Sequence, residues 1–498
     1  MKIRPSLSDF LSMSTRCALI AVYGEFASFK ETPASVYQKL QKESFSFLME
    51  SIDPFGPSGN GASKTIRYSL IGYRPILVVS QKGRALEVKQ DDGAVRRIED
   101  GNPMDSLRRL CMEFKPVAPR HVLPFDAGLF GYIHYDLIRT WERLPAMGHE
   151  VGKDPECVFI MPGRMVIFDH LSSIVRIVSF VHLKGGRNPG DAYEEARVDI
   201  RETKKLVARN PSKIEEAGSP RLSGLRSNFD RKDFCAAVRK AKHYIGAGEV
   251  IQVVLSQRFT GKLCGDSFAV YRRLSALNPS PYMYYIRCGE IALIGSSPER
   301  LISLKNQRIR VCPIAGTRPS SDQPAKNFAL ARDLLSDEKE RAEHIMLVDL
   351  ARNDVGRVSM PGSVIVPRFM NVERFSHVMH LVSEVEGLLK PGCDGFDAFK
   401  SVFPAGTVTG APKIRAMEII SELEPVPRGA YGGAVGWIDF QGNMEFCITI
   451  RTICLHGDNV SIQAGAGIVA DSSPHREYEE TMHKAGALFR ALGEEVLP

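Results

Sequence analysis

The chain has 498 residues, 44% hydrophobic and 25% charged, an ordinary globular composition that excludes disordered and fibrous classes. No run reaches the roughly 18 to 20 uninterrupted apolar residues of a membrane span, and residues 1–26 mix apolar with charged side chains, so a cytoplasmic protein without a membrane partner is expected. The formal charge of +7 is small for this length, with Lys and Arg interleaved among Asp and Glu, so the basic footprint of a nucleic-acid binder is missing.

Residues 65–72 (TIRYSLIG), 76–81 and 164–169 have the β-branched and aromatic content of strands, and with the helical stretches between them they predict an α+β amino-terminal region over 1–208. Residues 209–228 (RNPSKIEEAGSPRLSGLRSN) are rich in Pro, Gly, Ser and charge and read as a linker. Beyond it, in 229–498, the spacing predicts a helix over 231–246, strands over 430–439, 445–455 and 459–469, and a closing helix over 473–492. Strand runs bunched in this way favour antiparallel sheets over a doubly wound fold. The ten cysteines show no Cys-x-x-Cys pair and no zinc spacing, so reduced structural thiols are expected.

Two acidic pairs stand out. Glu340 and Glu343 lie on one face of a helix predicted over 337–352, and Glu477 and Glu480 share a face with Lys484 near the start of the closing helix. Either face could be plain solvated surface. If the helices met, four carboxylates would converge, and oxygen ligands at that charge density suit magnesium. The sequence AGAGI at 464–468 lacks the full dinucleotide spacing, yet amides freed by glycine can cradle a carboxylate. GTVTGAPK at 406–413 resembles a phosphate loop only superficially. His380, taken alone, reads first as a structural histidine and only second as a catalyst. Arg451, within the apolar run CITIRTI, calls for an anionic partner.

In chain order the motifs are FLMES, RYSLIG, GLFGY, VIQVVLSQ, NPSPYMYY, SSPERL, PIAGTRP, ERAEHIMLVDLARND, SHVMHLVSEV, GTVTGAPK, AYGGAVGW, CITIRT, QAGAGIVADS and EYEET. Together they resemble the chorismate-utilising family and, within it, the large subunits of anthranilate synthases. The resemblance implies two packed, largely antiparallel β-sheets with helices outside. It implies that Glu343 and Glu480 ligate Mg2+ with Glu340 and Glu477 in support. Arg451, Tyr431 and the amides around Gly465, Ala466 and Gly467 would hold the enolpyruvyl carboxylate of chorismate, with Gly316, Thr317, Thr407 and Lys484 bordering the pocket. Glu299 would protonate the departing hydroxyl, and His380 would act as acid or base when the ring becomes aromatic.

The resemblance also bears on the product. Relatives that add water carry a lysine where this chain has Gln252, and relatives that make aminodeoxychorismate, the nearest alternative, commonly carry one where it has Ala315. None of the cysteines has the Gly-x-Cys-x-Gly setting of an amidotransferase nucleophile, so a separate glutamine amidotransferase subunit and a hetero-oligomer are implied. Glu50 and Ser51, with Asn278, Pro281, Tyr282 and Met283, resemble the family's pocket for inhibitory L-tryptophan. Met49, Ser320 and Ser321 depart from the usual pattern.

Overall fold

The computed structural model describes residues 2–27, 31–40, 43–51, 66–99, 102–114, 127–145, 154–184, 186–208, 220–321, 323–374 and 378–494. Every strand pair among them is antiparallel, as the bunched strand runs predict. Two long strands, Tyr68–Lys82 and Cys157–Asp169, organise everything else. They pair with each other along nearly their whole length, with an irregularity between Pro75 and Leu77, where proline can give no ladder hydrogen bond.

On one side of that irregularity the ladder continues through Phe45–Ser51, Tyr282–Cys288, Ile291–Ser297, Thr452–His456, Asn459–Ile468 and Gln252–Cys264. On the other it continues through Gly128–Ile133, Ala434–Asp439, Met444–Ile448, Arg300–Lys305, Arg308–Val311 and Val378–Leu388. Two sheets that share two strands therefore enclose one apolar core, containing Leu70, Leu77, Phe130, Tyr284 and Phe446. The alternate side chains of the first sheet, among them Ile71, Tyr285 and Ile294, form a second core beneath helices such as Pro189–Ala208, Ser267–Leu277 and Pro474–Ala491. This period-2 division into two buried faces is why these strands read as nearly unbroken apolar runs.

The carboxy-terminal and amino-terminal regions are interlaced. Phe45–Ser51 pairs with Tyr282–Cys288, and Gly128–Ile133 with Ala434–Asp439. Of the linker range, residues 209–219 lie outside the described residues, while Arg221–Ser227 is a strand laid along Gln252–Cys264. The helix over 231–246 matches Arg231–Gly246, capped by Asp230, whose side chain accepts the Asp233 N–H.

One predicted element divides. The run 445–455 forms two strands, Met444–Ile448 and Thr452–His456, because Arg451 between them has φ +52°, a left-handed conformation that breaks strand geometry. The break passes the chain from one sheet to the other. The same passage occurs between Ile291–Ser297 and Arg300–Lys305, with Glu299 in the connection. The two crossings are bonded to each other: Ser296 N–H donates to Arg451 O at 3.1 Å and Ile448 N–H to Glu299 O at 3.0 Å. Glu299 and Arg451 thus stand together at the seam between the sheets.

A buried ion pair pins this region. Arg428 donates from Nε and Nη2 to both carboxylate oxygens of Glu424, at 2.9 and 2.7 Å, and also to the carbonyls of Val408 and Val254. Arg428→Met should lower stability by about 3–5 kcal/mol by leaving Glu424 charged and unpaired in the core. The double variant Arg428→Met/Glu424→Gln should recover part of that loss, read from the urea midpoints.

Candidate active site

Glu299 is buried and accepts a hydrogen bond from Thr407 Oγ1 at 2.8 Å. Burial pushes its carboxyl up to about 8, against the opposing effects of the Thr407 hydroxyl and the nearby Lys484 ammonium, so it holds its proton at neutral pH. Arg451 lies on the facing crossing. Its guanidinium donates to the carbonyl of Lys484 at 3.2 Å, and among the described residues no carboxylate comes within ion-pairing distance. Burial lowers its affinity for a proton, with Tyr431 and Glu480 opposing. A cation placed in this way is a receptor for an anion the protein does not supply.

The floor between these groups is the strand Asn459–Ile468. Its neighbour on one side ends at Thr452, and the last pair on that side is Ile453 with Ile462. From Gln463 onward only the Gln252–Cys264 side is paired, so every second amide of the glycine stretch points to an open edge. A methyl group on Gly465 would lie 2.5 Å from the Tyr431 hydroxyl, and one on Gly467 2.7 Å from Gln252 Nε2. Both distances are below any real contact, so a side chain at either position would push Tyr431 or Gln252 from its place. Ala466 lies between them and is fully buried. Burial raises the Tyr431 hydroxyl to about 12, which keeps it a neutral donor.

The four glutamates flank this floor. Glu343, on the helix Glu338–Gly356, accepts from Gln252 Nε2 at 2.9 Å, above Gly467. Glu480 pairs with Lys484 at 2.6 Å, and Lys484 Nζ donates to Gly465 O at 3.0 Å. Glu343 thus reaches the glycine strand only through Gln252, and Glu480 through Lys484, at positions two residues apart, about 7 Å along it. Glu340 lies 3.5 Å from Arg318. Its carboxyl is raised first by burial and then by Glu343's charge; that of Glu477 is raised by burial and, against a Ser472 hydrogen bond, by Glu480. Among the described residues no three acidic, imidazole or thiol side chains are close enough to hold an ion as they stand. Even so, on each helix a neighbouring carboxylate helps to raise the carboxyl of Glu340 or Glu477, and the carboxylates are an all-oxygen donor set that a hard dication would relieve.

At the rim, His380 Nδ1 lies 2.7 Å from the Gly316 carbonyl and 3.2 Å from Thr317 Oγ1. A carbonyl can only accept, so Nδ1 carries the ring proton and Nε2 is the basic nitrogen. Gly316 has φ +64°, and a methyl group there would lie 3.1 Å from Glu340 Oε2. The departing serines anchor this rim: Arg374 donates to Ser320 Oγ and Ser321 O at 2.6 and 2.9 Å. Lys413 pairs with the buried Asp354 at 2.6 Å, a structural use that agrees with discounting GTVTGAPK as a phosphate loop.

Glu50, Ser51, Tyr282 and Met283 lie elsewhere, on paired strands in which Met283 is opposite Glu50 and Tyr282 opposite Ser51. Asn278 caps the helix Ser267–Leu277, and Pro281 leads from it into the strand. Glu50 accepts from Ser69 Oγ at 2.7 Å and Tyr271 OH at 2.5 Å.

Sequence reasoning missed the Arg428–Glu424 pair and a cavity of about 360 Å3 behind Tyr431, lined by His134, Asp136, Arg258, Arg428 and Gln463 among others. Apart from Gln463 in QAGAGIVADS these residues lie outside the motifs, and they are brought together by the interlacing of distant strands.

The chain matches the model of a family described as chorismate binding enzyme over residues 74–490. It is similar to anthranilate synthase component 1 of Acetivibrio thermocellus, 42% identical over 495 residues, which covers 98% of both chains. The protein of the same name from Aquifex aeolicus is 42% identical, covering 99% of this chain and 98% of that one. The crystal structure of anthranilate synthase component I from Streptococcus pneumoniae is 36% identical with a TM-score of 0.75, covering 87% of this chain and 95% of that one. The chain belongs to the family of chorismate-binding enzymes. Within that family it stands with component 1 of the anthranilate synthases, to which it is similar along its whole length.

Gly465→Ala should cost about 100-fold in turnover, since it displaces Tyr431 by an ångström or more, with little change in melting temperature. Steady-state kinetics beside a thermal melt checks both halves of that expectation.

Proposed function

We propose that this chain converts chorismate and ammonia into anthranilate and pyruvate. The ammonia would come from glutamine through a separate amidotransferase subunit, magnesium would be the cofactor, and L-tryptophan would inhibit. The observation that carries the reading is the pairing of a buried acid that keeps its proton with an arginine that has no counter-ion among the described residues, across a glycine floor. Chorismate is a dianion with a poor leaving group, and these are the groups it needs.

Arg451, the Tyr431 hydroxyl and the open-edge amides near Gly465 and Gly467 bind the enolpyruvyl carboxylate. Glu343 and Glu480 would hold magnesium, with Glu340 and Glu477 in support, and the ion would neutralise the ring carboxylate. Lys484, tied to Glu480 and to Gly465 O, sets the distance between the two ends. As ammonia forms its bond to the ring carbon beside the carboxylate-bearing one, Glu299 gives its proton to the ring hydroxyl, which leaves as water, and the ammonium so formed loses one proton to solvent. His380, oriented through Nδ1 by Gly316 O, takes a ring proton on Nε2 as the bond between the ring carbon and the enolpyruvyl oxygen breaks; that pair of electrons leaves with enolpyruvate, which becomes pyruvate on gaining a proton at its methylene, and the ring becomes aromatic. Gln252 offers a carboxamide, which cannot deprotonate water, so ammonia is favoured as the nucleophile. Ala315 offers no nucleophile of its own, which favours anthranilate over aminodeoxychorismate.

The test uses the purified chain with chorismate, magnesium and ammonium at mildly alkaline pH. Anthranilate fluorescence and pyruvate should rise in equal amounts, fall on adding tryptophan or a chelator, and fail to appear with glutamine as the nitrogen source. Glu343→Ala and Glu480→Ala should each lower turnover more than about 100-fold. Chorismate consumed without pyruvate would instead indicate aminodeoxychorismate, and full activity in both variants would remove the metal assignment.

A further inference from the structure

We infer that Ser296 is a positioning residue that joins the tryptophan loop to the substrate arginine, so that a ligand at either place changes the affinity at the other. This rests on the chorismate and tryptophan assignments proposed for the two places.

Four residues stand in register across the first sheet. Glu50 is opposite Met283, Met283 is opposite Ser296, and the Ser296 N–H donates to Arg451 O at 3.1 Å. At about 4.8 Å per strand, Glu50 and Arg451 are three spacings apart, about 14 Å. Ser296 is fully buried, and it belongs to both ends of this line. Its hydroxyl donates to the Asn278 carbonyl, accepts from Asn278 Nδ2 at 3.2 Å and lies 2.8 Å from Ser280 Oγ. One side chain therefore closes the 278–280 loop while its own amide makes the last rung before Arg451.

That rung has a particular task. Arg451 bears a side chain yet has φ +52°, a conformation that persists only where the surroundings impose it. The surroundings are the Ser296 rung at its carbonyl and the Lys484 carbonyl at its guanidinium, 3.2 Å from Nη1. An amino-acid head group seated on Asn278 and Ser280 competes for the donors and acceptors that Ser296 uses. Ser296 then moves with the loop, the rung lengthens, and Arg451 relaxes away from the position that receives the enolpyruvyl carboxylate. A neighbouring link, Tyr284 OH to Thr452 Oγ1 at 2.5 Å, keeps the two strands in register without touching the loop, so the message passes through Ser296. Coupling of this kind is reciprocal: tryptophan weakens chorismate binding by the factor by which chorismate weakens tryptophan binding.

The experiment measures that factor in the full chain. KM for chorismate is followed at rising L-tryptophan with saturating magnesium and ammonium, and tryptophan binding to the substrate-free protein is followed by calorimetry. In the wild type KM should rise to a plateau about 10-fold or more above its starting value. In Ser296→Ala, and less completely in Ser296→Cys, the plateau should collapse toward 1 while the calorimetric Kd stays within about 3-fold of wild type. A plateau unchanged in both variants would overturn the inference. So would loss of tryptophan binding along with inhibition in both, because Ser296 would then be a wall of the pocket alone. A wild type that neither binds tryptophan nor is inhibited by it would instead remove the tryptophan assignment, leaving the chorismate reaction to stand on its products.

Discussion

Exclusion of water from a few charges at one seam is the constraint on which the rest depends. Glu299 keeps its proton, and Arg451 has no ion-pairing carboxylate among the described residues, where the chain crosses between sheets, walled by strands on either side. Desolvation of this kind is costly, and the fold sustains it with a large apolar core and with fully satisfied charges close by, of which Arg428 and Glu424 are the clearest pair. The two long shared strands matter for the same reason. By holding the sheets together along one line, they bring the two crossings into hydrogen-bonding register.

Charge is laid out along the site with a direction. At one end lie an arginine and open-edge amides; at the other, four carboxylates on two helices, two of them raised by burial and by their neighbours. Between them a glycine floor lets tyrosine and glutamine side chains approach the backbone as closely as atoms can. A ligand with two carboxylates would be held at both ends on the proposed reading, directly by the arginine and through a dication by the glutamates. A neutral or singly charged ligand of the same size satisfies only half of the arrangement.

Much of this was legible from residue order. The helix 231–246, the strand 459–469 and the closing helix follow from periodicity and caps, and the motifs identified the family. The strand predicted over 445–455 was misread because its apolar pattern continues through Arg451, while the backbone turns over there; a φ value leaves no mark in hydropathy. The linker reading at 209–228 rests on composition alone, which carries no sign that Arg221–Ser227 pairs with a strand between 32 (Ser227 with Phe259) and 43 residues (Arg221 with Cys264) further on. Gln252 could be singled out as a choice among family members, but its bond to Glu343 depends on a helix some ninety residues further on. The cavity behind Tyr431 likewise exists because residues 134–156 and residues 258–463, far apart in the chain, both contribute to its walls.

The pH dependence of kcat/KM tests the central claim most directly, with chorismate as substrate, saturating magnesium and a fixed concentration of free ammonia. A buried Glu299 raised to about 8 is a competent acid below that value and loses its proton above it. The rate should therefore fall on the alkaline side through a limb near 8, and Glu299→Gln should be slower by about 100-fold or more and lack that limb. A profile flat through this range in the wild type, or a limb that survives unchanged in Glu299→Gln, would contradict the account.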